Sequence, residues 1–285
     1  MTLRAATAAL ATALTPAYEE REAAAIAALV FQHLTRLEDL PFLMAARDEA
    51  MPDVLARLPA LQARLLAHEP VQYVLGTAHF AGMALEVTPA TLIPRPETEE
   101  LVQLIEREQA GRPGRRVLDV GTGSGCLALA LARALHGAEV LAVDISAEAL
   151  AVARRNAAAW APAVQFQQVD ILQALPVGLA PGCLDVLVSN PPYVRDSERA
   201  QMRENVLAWE PATALFVPDH DPLLFYRRLA EVGAQLLAPG GVAYLEINES
   251  LGPETAALFT SQGFIEAAVI NDMFGKPRMV RAVWP

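Results

Sequence analysis

Cysteine and lysine are almost missing from this chain. Cys126 and Cys183 are the two cysteines in 285 residues. They are too few and too scattered for a disulfide framework or a thiolate metal site, and both are expected to be buried, reduced thiols. Lys276 stands alone against 21 arginines, so no lysine nucleophile lies near any motif. Positive charge is short overall: the formal net charge is −11, which argues against a dedicated DNA binder, since such a protein carries a basic footprint. No segment is long and apolar enough to span a membrane. Arg4 followed by Ala5 to Leu14 superficially resembles a signal peptide, but Leu3, Ala6, Leu10 and Leu14 fall on a helical stripe. Neither an internal repeat nor a low-complexity tail is present. What remains, with 53% apolar residues, is the profile of an ordinary cytosolic enzyme with ample material for a core.

The most informative residues are Asn190-Pro191-Pro192-Tyr193, directly after the apolar run Leu184-Asp185-Val186-Leu187-Val188-Ser189. Ligands of open α/β sheets bind outside the carboxyl ends of the strands. There the Asn190 side-chain carbonyl accepts a hydrogen bond, and Pro191 keeps its C=O while lacking an N–H. Two acceptors are offered to one planar –NH2 group, with Tyr193 available to cover its face. This suits a weak nitrogen nucleophile with two protons, an amide or the exocyclic amine of a base. A proline-stiffened turn with a capping Asn is the plain alternative.

Val117-Leu118-Asp119-Val120 is a second buried-strand signal, followed by Gly121-Thr122-Gly123-Ser124-Gly125 and a helical stretch from Cys126. Glycines between strand and helix let a ligand approach the backbone. The G-x-G-x-x-G dinucleotide fingerprint fails because Cys126 occupies its third glycine position, and no G-x-x-x-x-G-K-[ST] phosphate loop occurs. The pattern from Asp119 is D-x-G-x-G-x-G, the turn used by S-adenosylmethionine-dependent methyltransferases. Asp144, at the tip of the next strand signal, is placed to accept the ribose hydroxyls of an adenosyl group, while Ser146 is the better helix cap. Asp170 ends the third strand and is a candidate for the adenine amine, although an Asp there also serves turns.

Strand signals at 116–120, 139–144, 164–169, 184–189, 241–247, 264–270 and 278–284 alternate with helical patterns. The first five read as βα repeats of a parallel sheet. The short turn Asn271 to Pro277 requires the last two to be antiparallel, and Gly240-Gly241 reads as a turn. Residues 1–70 read as all-helical: Ile26, Leu29, Val30, His33, Leu34 and Leu37 form one apolar face, with His33 expected as a satisfied core histidine. Leu55, Leu58, Leu61 and Leu65 form another, with Pro59 expected to kink or split the helix. Residues 71–114 read as a connector, hairpin-like from Val71 to Pro94 with Gly76 and Gly82 as turns. A helix then starts at Pro96 with acids near its positive end, and Gly111 to Gly114 lead into the third part, 115–285.

Taken together, these residues resemble the release factor glutamine methyltransferase family, also called the HemK family. The resemblance covers almost the whole chain. It is carried by Pro70 to Gly76, Ile93-Pro94-Arg95-Pro96-Glu97-Thr98-Glu99, Gly121 to Gly125, Asn190 to Tyr193, and Glu210 to Leu215. It implies an α/β fold: a seven-stranded Rossmann-like class I methyltransferase domain with a small N-terminal helical domain for substrate docking. The implied donor is S-adenosyl-L-methionine, held by Gly121, Thr122, Gly123, Ser124, Gly125, Asp144, Asp170, Ile171 and Asn190. The implied substrate is the glutamine of the Gly-Gly-Gln motif in class-I peptide chain release factors, held by Asn190, Pro191, Pro192 and Tyr193. Of these, Asn190, Pro191 and Tyr193 carry the chemistry, and no metal, DNA or membrane is implied. Ile171 stands where a Trp is frequent. His220 to Leu223, where Asp-Gly-Leu is usual, and Asn248, where Gly is common, are expected to leave the chemistry untouched. A ribosomal protein glutamine methyltransferase is the nearest alternative, with an adenine-N6 DNA methyltransferase or a vestigial binding module further off.

Overall fold

The computed structural model describes residues 1–37 and 39–285. Two compact units emerge, one comprising 1–77 and 203–209, the other 78–202 and 210–285.

The first unit is helical. Leu3, Ala6, Leu10 and Leu14 are buried along the helix Leu3–Leu14, one residue per turn. In Glu20–Thr35 the buried stripe is Ala23, Ile26, Ala27, Val30, Phe31 and Leu34. His33 and Leu29 are exposed, so His33 is not a core histidine. The two alanines and Phe31 rotate the stripe away from the 26/29/33/37 line, because small side chains allow close approach on their side. Pro59 lies within one continuous helix, Pro52–Leu66, and does not split it. Val54 and Leu65 are its buried positions, with Leu55, Leu58 and Leu61 packed at the margin. The expected hairpin from Val71 begins instead with a short helix, Val71–Leu75, that Gly76 terminates at φ +71°. The hairpin itself, Thr77–Phe80 and Met83–Glu86 around Gly82, belongs from Ala78 onward to the second unit.

The second unit is built on a seven-stranded sheet, with strands β1 Arg116–Val120, β2 Glu139–Asp144, β3 Gln165–Gln168, β4 Leu184–Ser189, β5 Leu237–Glu246, β6 Ile265–Asn271 and β7 Pro277–Val283. Their order is β6-β7-β5-β4-β1-β2-β3. β1 to β5 are mutually parallel, and β7 is antiparallel to both neighbours. Alternation along each strand sends side chains to opposite faces. Val117, Val140, Val186, Val188 and Tyr244 pack with the helices Pro96–Gln109, Cys126–Ala134 and Ala147–Trp160. Leu118, Val120, Leu141, Leu187 and Leu245 pack with Leu224–Leu236 and Gly252–Ser261. The sheet is covered on both faces, hence the near-continuous apolar runs of its central strands.

Gly240 and Gly241 lie inside β5 rather than in a turn before it. Leu184 pairs with Leu237 and Val186 with Val242, so the extra residues form a large bulge. Gly240 takes φ +78° there and donates its N–H to the Trp284 carbonyl at 2.8 Å. A Cβ on Gly241 would sit 2.8 Å from the Ala238 carbonyl oxygen. Strand order reverses at β1, since β2 and β3 lie on one side and β4 on the other. Crevices at such switch points are where open α/β sheets bind ligands.

Candidate active site

The turn after β1 is shaped from below. Asp119, fully buried, accepts from Thr122 Oγ1 at 2.6 Å and from the Ala128 N–H at 3.2 Å, both through Oδ2. These bonds tie the strand end to the turn and to the first turn of the following helix. Among the described residues Asp119 Oδ1 has no hydrogen-bond partner, and burial pushes the carboxyl up to about 7. Gly121 and Gly123 adopt φ +73° and +55°, with open space where a Cβ would stand. Gly125 at φ +85° is packed differently: a Cβ there would meet the Ala153 Cβ at 3.3 Å. The first two glycines therefore keep the ligand side open, and the third admits a neighbouring helix. Asn156 braces the turn, donating to the Ser124 and Glu86 carbonyls, both at 2.9 Å, and accepting from the Glu86 N–H at 2.7 Å.

Asp144 ends β2. Its Oδ2 accepts from the Gly123 N–H and its Oδ1 from the Ser146 N–H, each at 2.9 Å. Ser146 caps the next helix by accepting from the Ala149 N–H. Burial raises the Asp144 pKa, opposed by these backbone donors. Asp170 accepts from the Leu172 N–H at 3.0 Å, and Ile171 is buried beside it.

The segment after β4 is fixed at both ends. Ser189 donates to the Val120 carbonyl at 2.7 Å, joining the ends of β4 and β1. The Tyr193 and Val194 N–H groups both donate to the Leu215 carbonyl. Asn190 Nδ2 donates to Thr98 Oγ1 at 3.3 Å, and Thr98 in turn donates to Glu246 Oε2 at 2.6 Å. The Tyr193 hydroxyl donates to Glu246 Oε1 at 3.0 Å. Asn190 Oδ1 makes no hydrogen bond among the described residues. Glu246 is fully buried, which raises its pKa against the lowering effect of Thr98, Tyr193 and Arg278.

Two further motif segments meet beside this point. Glu210, almost fully buried, accepts from Arg95 Nη2 and from the Ile93 N–H at 3.2 Å. That ion pair joins the Ile93–Glu99 segment to the Glu210–Leu215 segment. Asn248 also reaches the site, donating to the Tyr193 carbonyl and to Glu198 Oε2, both at 3.1 Å. Asn248 is expected to leave the chemistry untouched, and its contact is with the Tyr193 backbone. It holds the backbone of a candidate residue, a role that a glycine could not fill.

A single cavity of about 390 Å³ brings most of these residues together. Gly121 to Ser124, Asp144, Asp170, Ile171 and Asn190 to Pro192 line it, with Thr98, Arg95 and Thr213 on another side. Gly125 and Tyr193 lie outside the lining. Cys126 also faces the cavity and is half-buried rather than fully buried, with its thiol pushed up to about 12 by burial and by Asp119. Sequence reading missed Glu246, Asn156 and the Arg95–Glu210 pair, because each partner lies far away in sequence. Among the described residues no cluster of three or more His, Cys, Asp or Glu side chains is arranged to hold a metal ion. Among the described residues no helix is long and apolar enough to cross a membrane.

The cavity has the size of a cofactor site. The two open glycine positions and the part-used Asp144 carboxylate fit an adenosyl donor.

Two family models match the chain. The PrmC N-terminal domain model covers residues 2–76, and the Methyltransferase small domain model covers 97–213. A release factor glutamine methyltransferase from Bacteroides thetaiotaomicron is 48% identical over 219 residues, 77% of each chain. Another, from Flavobacterium psychrophilum, is 36% identical over 272 residues, 94% of each chain. A methyltransferase crystal structure from Pyrococcus furiosus aligns with TM-score 0.50 and 21% identity, over 78% of this chain and 96% of that one; it shows the shared fold. With relatives this similar along nearly its whole length, the chain belongs to the release factor glutamine methyltransferase family.

Proposed function

We propose that this chain transfers a methyl group from S-adenosyl-L-methionine to the side-chain nitrogen of the glutamine in the Gly-Gly-Gln motif of class-I peptide chain release factors. One observation carries the reading. Asn190, in the lining of the switch-point cavity, has its amide nitrogen engaged by Thr98 and its oxygen left to accept.

Bound S-adenosylmethionine supplies an electrophilic methyl group on a sulfonium. Gly121 to Ser124 and Asp144 hold the donor, Asp170 and Ile171 border its adenine end, and Asn190 stands between donor and substrate. A glutamine amide nitrogen is a poor nucleophile because its lone pair is delocalised into the carbonyl. Asn190 Oδ1 and the Pro191 carbonyl accept hydrogen bonds from its two N–H groups and orient the lone pair. As the N–CH3 bond forms, the S–CH3 bond breaks with its electron pair returning to sulfur, which leaves as the neutral thioether of the demethylated product. Positive charge develops on nitrogen, so these acceptors bind the transition state more tightly than the ground state. One of the two nitrogen protons is then released to solvent. Positioning alone is worth about 7–11 kcal/mol in favourable cases. Tyr193, with its hydroxyl held by Glu246, stiffens the segment that carries the two acceptors. The helical unit serves to dock the body of the release factor.

Incubating purified release factor, ribosomal protein and DNA side by side with enzyme and labelled donor tests the reading. Mass spectrometry should find one methyl group on the Gly-Gly-Gln glutamine. Labelling of the ribosomal protein alone would refute the substrate assignment, and labelling of adenine would refute the amide chemistry as well.

A further inference from the structure

The weak point of an asparagine used as an acceptor is its symmetry. Oδ1 and Nδ2 have nearly the same shape, and a rotation of half a turn about the last side-chain bond exchanges them. If Nδ2 pointed at the substrate, two donors would face each other. Something must choose the orientation, and the choice lies in hydrogen-bond direction rather than shape.

We infer that Glu246, acting through the Thr98 hydroxyl, is the positioning residue that holds the Asn190 amide with its oxygen toward the substrate. The inference rests on the methyl-transfer reading above and adds a residue to its machinery.

Each Glu246 oxygen faces one hydroxyl, Thr98 on Oε2 and Tyr193 on Oε1, which favours the ionised form against the desolvation that raises its pKa. An ionised carboxylate only accepts. Thr98 therefore spends its single proton on Glu246 Oε2 at 2.6 Å. With that proton committed, Thr98 Oγ1 can only accept from Asn190, and only Nδ2 can donate across the 3.3 Å between them. The polarity of the chain is thus set at its far end and read out at Oδ1. This logic does not depend on which end of the amide was labelled nitrogen. Tyr193 reinforces it by donating to the other oxygen, Oε1, at 3.0 Å, so both carboxylate oxygens face donors. The elements are rigid. Glu246 ends a strand paired to Met279, and Thr98 sits in the first turn of the helix Pro96–Gln109 with its N–H bonded to the Arg95 carbonyl at 3.1 Å. Both side chains are almost fully buried, so water does not compete for these bonds. Neither residue needs to touch the reacting nitrogen.

Three substitutions test the relay in the full-length enzyme, each assayed for turnover on release factor, for donor affinity by calorimetry and for thermal midpoint. Thr98→Val keeps the shape and removes the hydroxyl. Its kcat should fall by roughly tenfold or more, the scale of one hydrogen bond lost in the transition state, with donor Kd unchanged. Thr98→Ser should restore turnover, because it returns the hydroxyl without the methyl. Glu246→Met keeps the bulk of the side chain and offers neither hydroxyl a carboxylate acceptor. The Thr98 proton is then free to turn toward Asn190, and the kcat should drop at least as far as in Thr98→Val. Wild-type turnover in Thr98→Val, or a loss of donor affinity and thermal midpoint in step with kcat, would overturn the relay. So would an equal loss in Thr98→Ser, or full activity in Glu246→Met. The wild-type reaction in the same plate reports separately on the function, since an enzyme that never labels release factor sinks the methyl-transfer reading, whereas the variant-to-wild-type ratio concerns the relay alone.

Discussion

Replacing Asp144 by alanine should disable donor binding while leaving the fold nearly intact. An ionised carboxylate offers about four lone-pair sites. The Gly123 and Ser146 N–H groups take one on each oxygen, both at 2.9 Å, leaving one on each for the two hydroxyls of a ribose. A hydrogen bond to a charged group is worth about 1.5–3 kcal/mol. Losing the equivalent of one such bond weakens binding by roughly tenfold to somewhat over a hundredfold. The second bond is not simply additive, since water replaces part of it. Against this, burial already disfavours the Asp144 charge, so removing it costs the free protein little, and the thermal midpoint should move only slightly. Asp144→Asn is the sharper probe. One of its two polar atoms is a donor and would confront either Gly123 N–H or Ser146 N–H, so it should bind almost as poorly as the alanine. Titration calorimetry with S-adenosylmethionine and with its demethylated product measures all three proteins. Unchanged affinity in both variants would remove Asp144 from the donor site and refute the lone-pair arithmetic.

Asn190→Ala should lower turnover far more than donor affinity, shown by single-turnover kinetics beside calorimetry. Gly123→Ala and Gly125→Ala should fail differently. A methyl on Gly123 enters open space on the ligand side and should weaken donor binding, whereas on Gly125 it presses on Ala153 at φ +85° and should cost roughly 1–3 kcal/mol of stability in urea denaturation. Asp119→Asn should become more stable relative to wild type as pH rises. The folded-state carboxyl is raised to about 7, so its contribution is complete below the unfolded value and is lost as pH climbs through 7. The gain is bounded at roughly 4 kcal/mol, and a pH-independent difference between the two proteins would contradict the assignment.

The sequence was most legible where structure is local. β1, β2 and β4 are apolar runs because both faces are covered, and their bounds, 116–120, 139–144 and 184–189, are the expected ones. The glycine turn and Asn190 were legible because each follows directly on its strand, and Asp144 because it is the last residue of β2. β5 begins earlier than expected because a bulge, invisible to a pattern of alternation, absorbs Gly240 and Gly241. His33 was misplaced because alanines in the helix Glu20–Thr35 bury as readily as leucines and shift the stripe. The relay was the least legible feature. Thr98 and Glu246 are 148 residues apart, and Thr98 read simply as part of a well-made helix start. Glu246 had no signal at all, as a lone carboxylate at the end of an apolar strand is equally well a solvated edge.

The antiparallel strand β7 sits between β5 and β6 although it follows both in sequence. β5 and β6 therefore join one sheet only through β7, which pairs with both. Pairings of this kind are non-local and slow to form, and an open apolar edge is an invitation to aggregate. The carboxylate that orients Asn190 stands at the end of that same β5, opposite Met279. The backbone of the proposed orienting residue is thus held on one side through the β4–β5 pairing up to Leu245 and on the other by β7, so its placement depends on a pairing between distant parts of the chain.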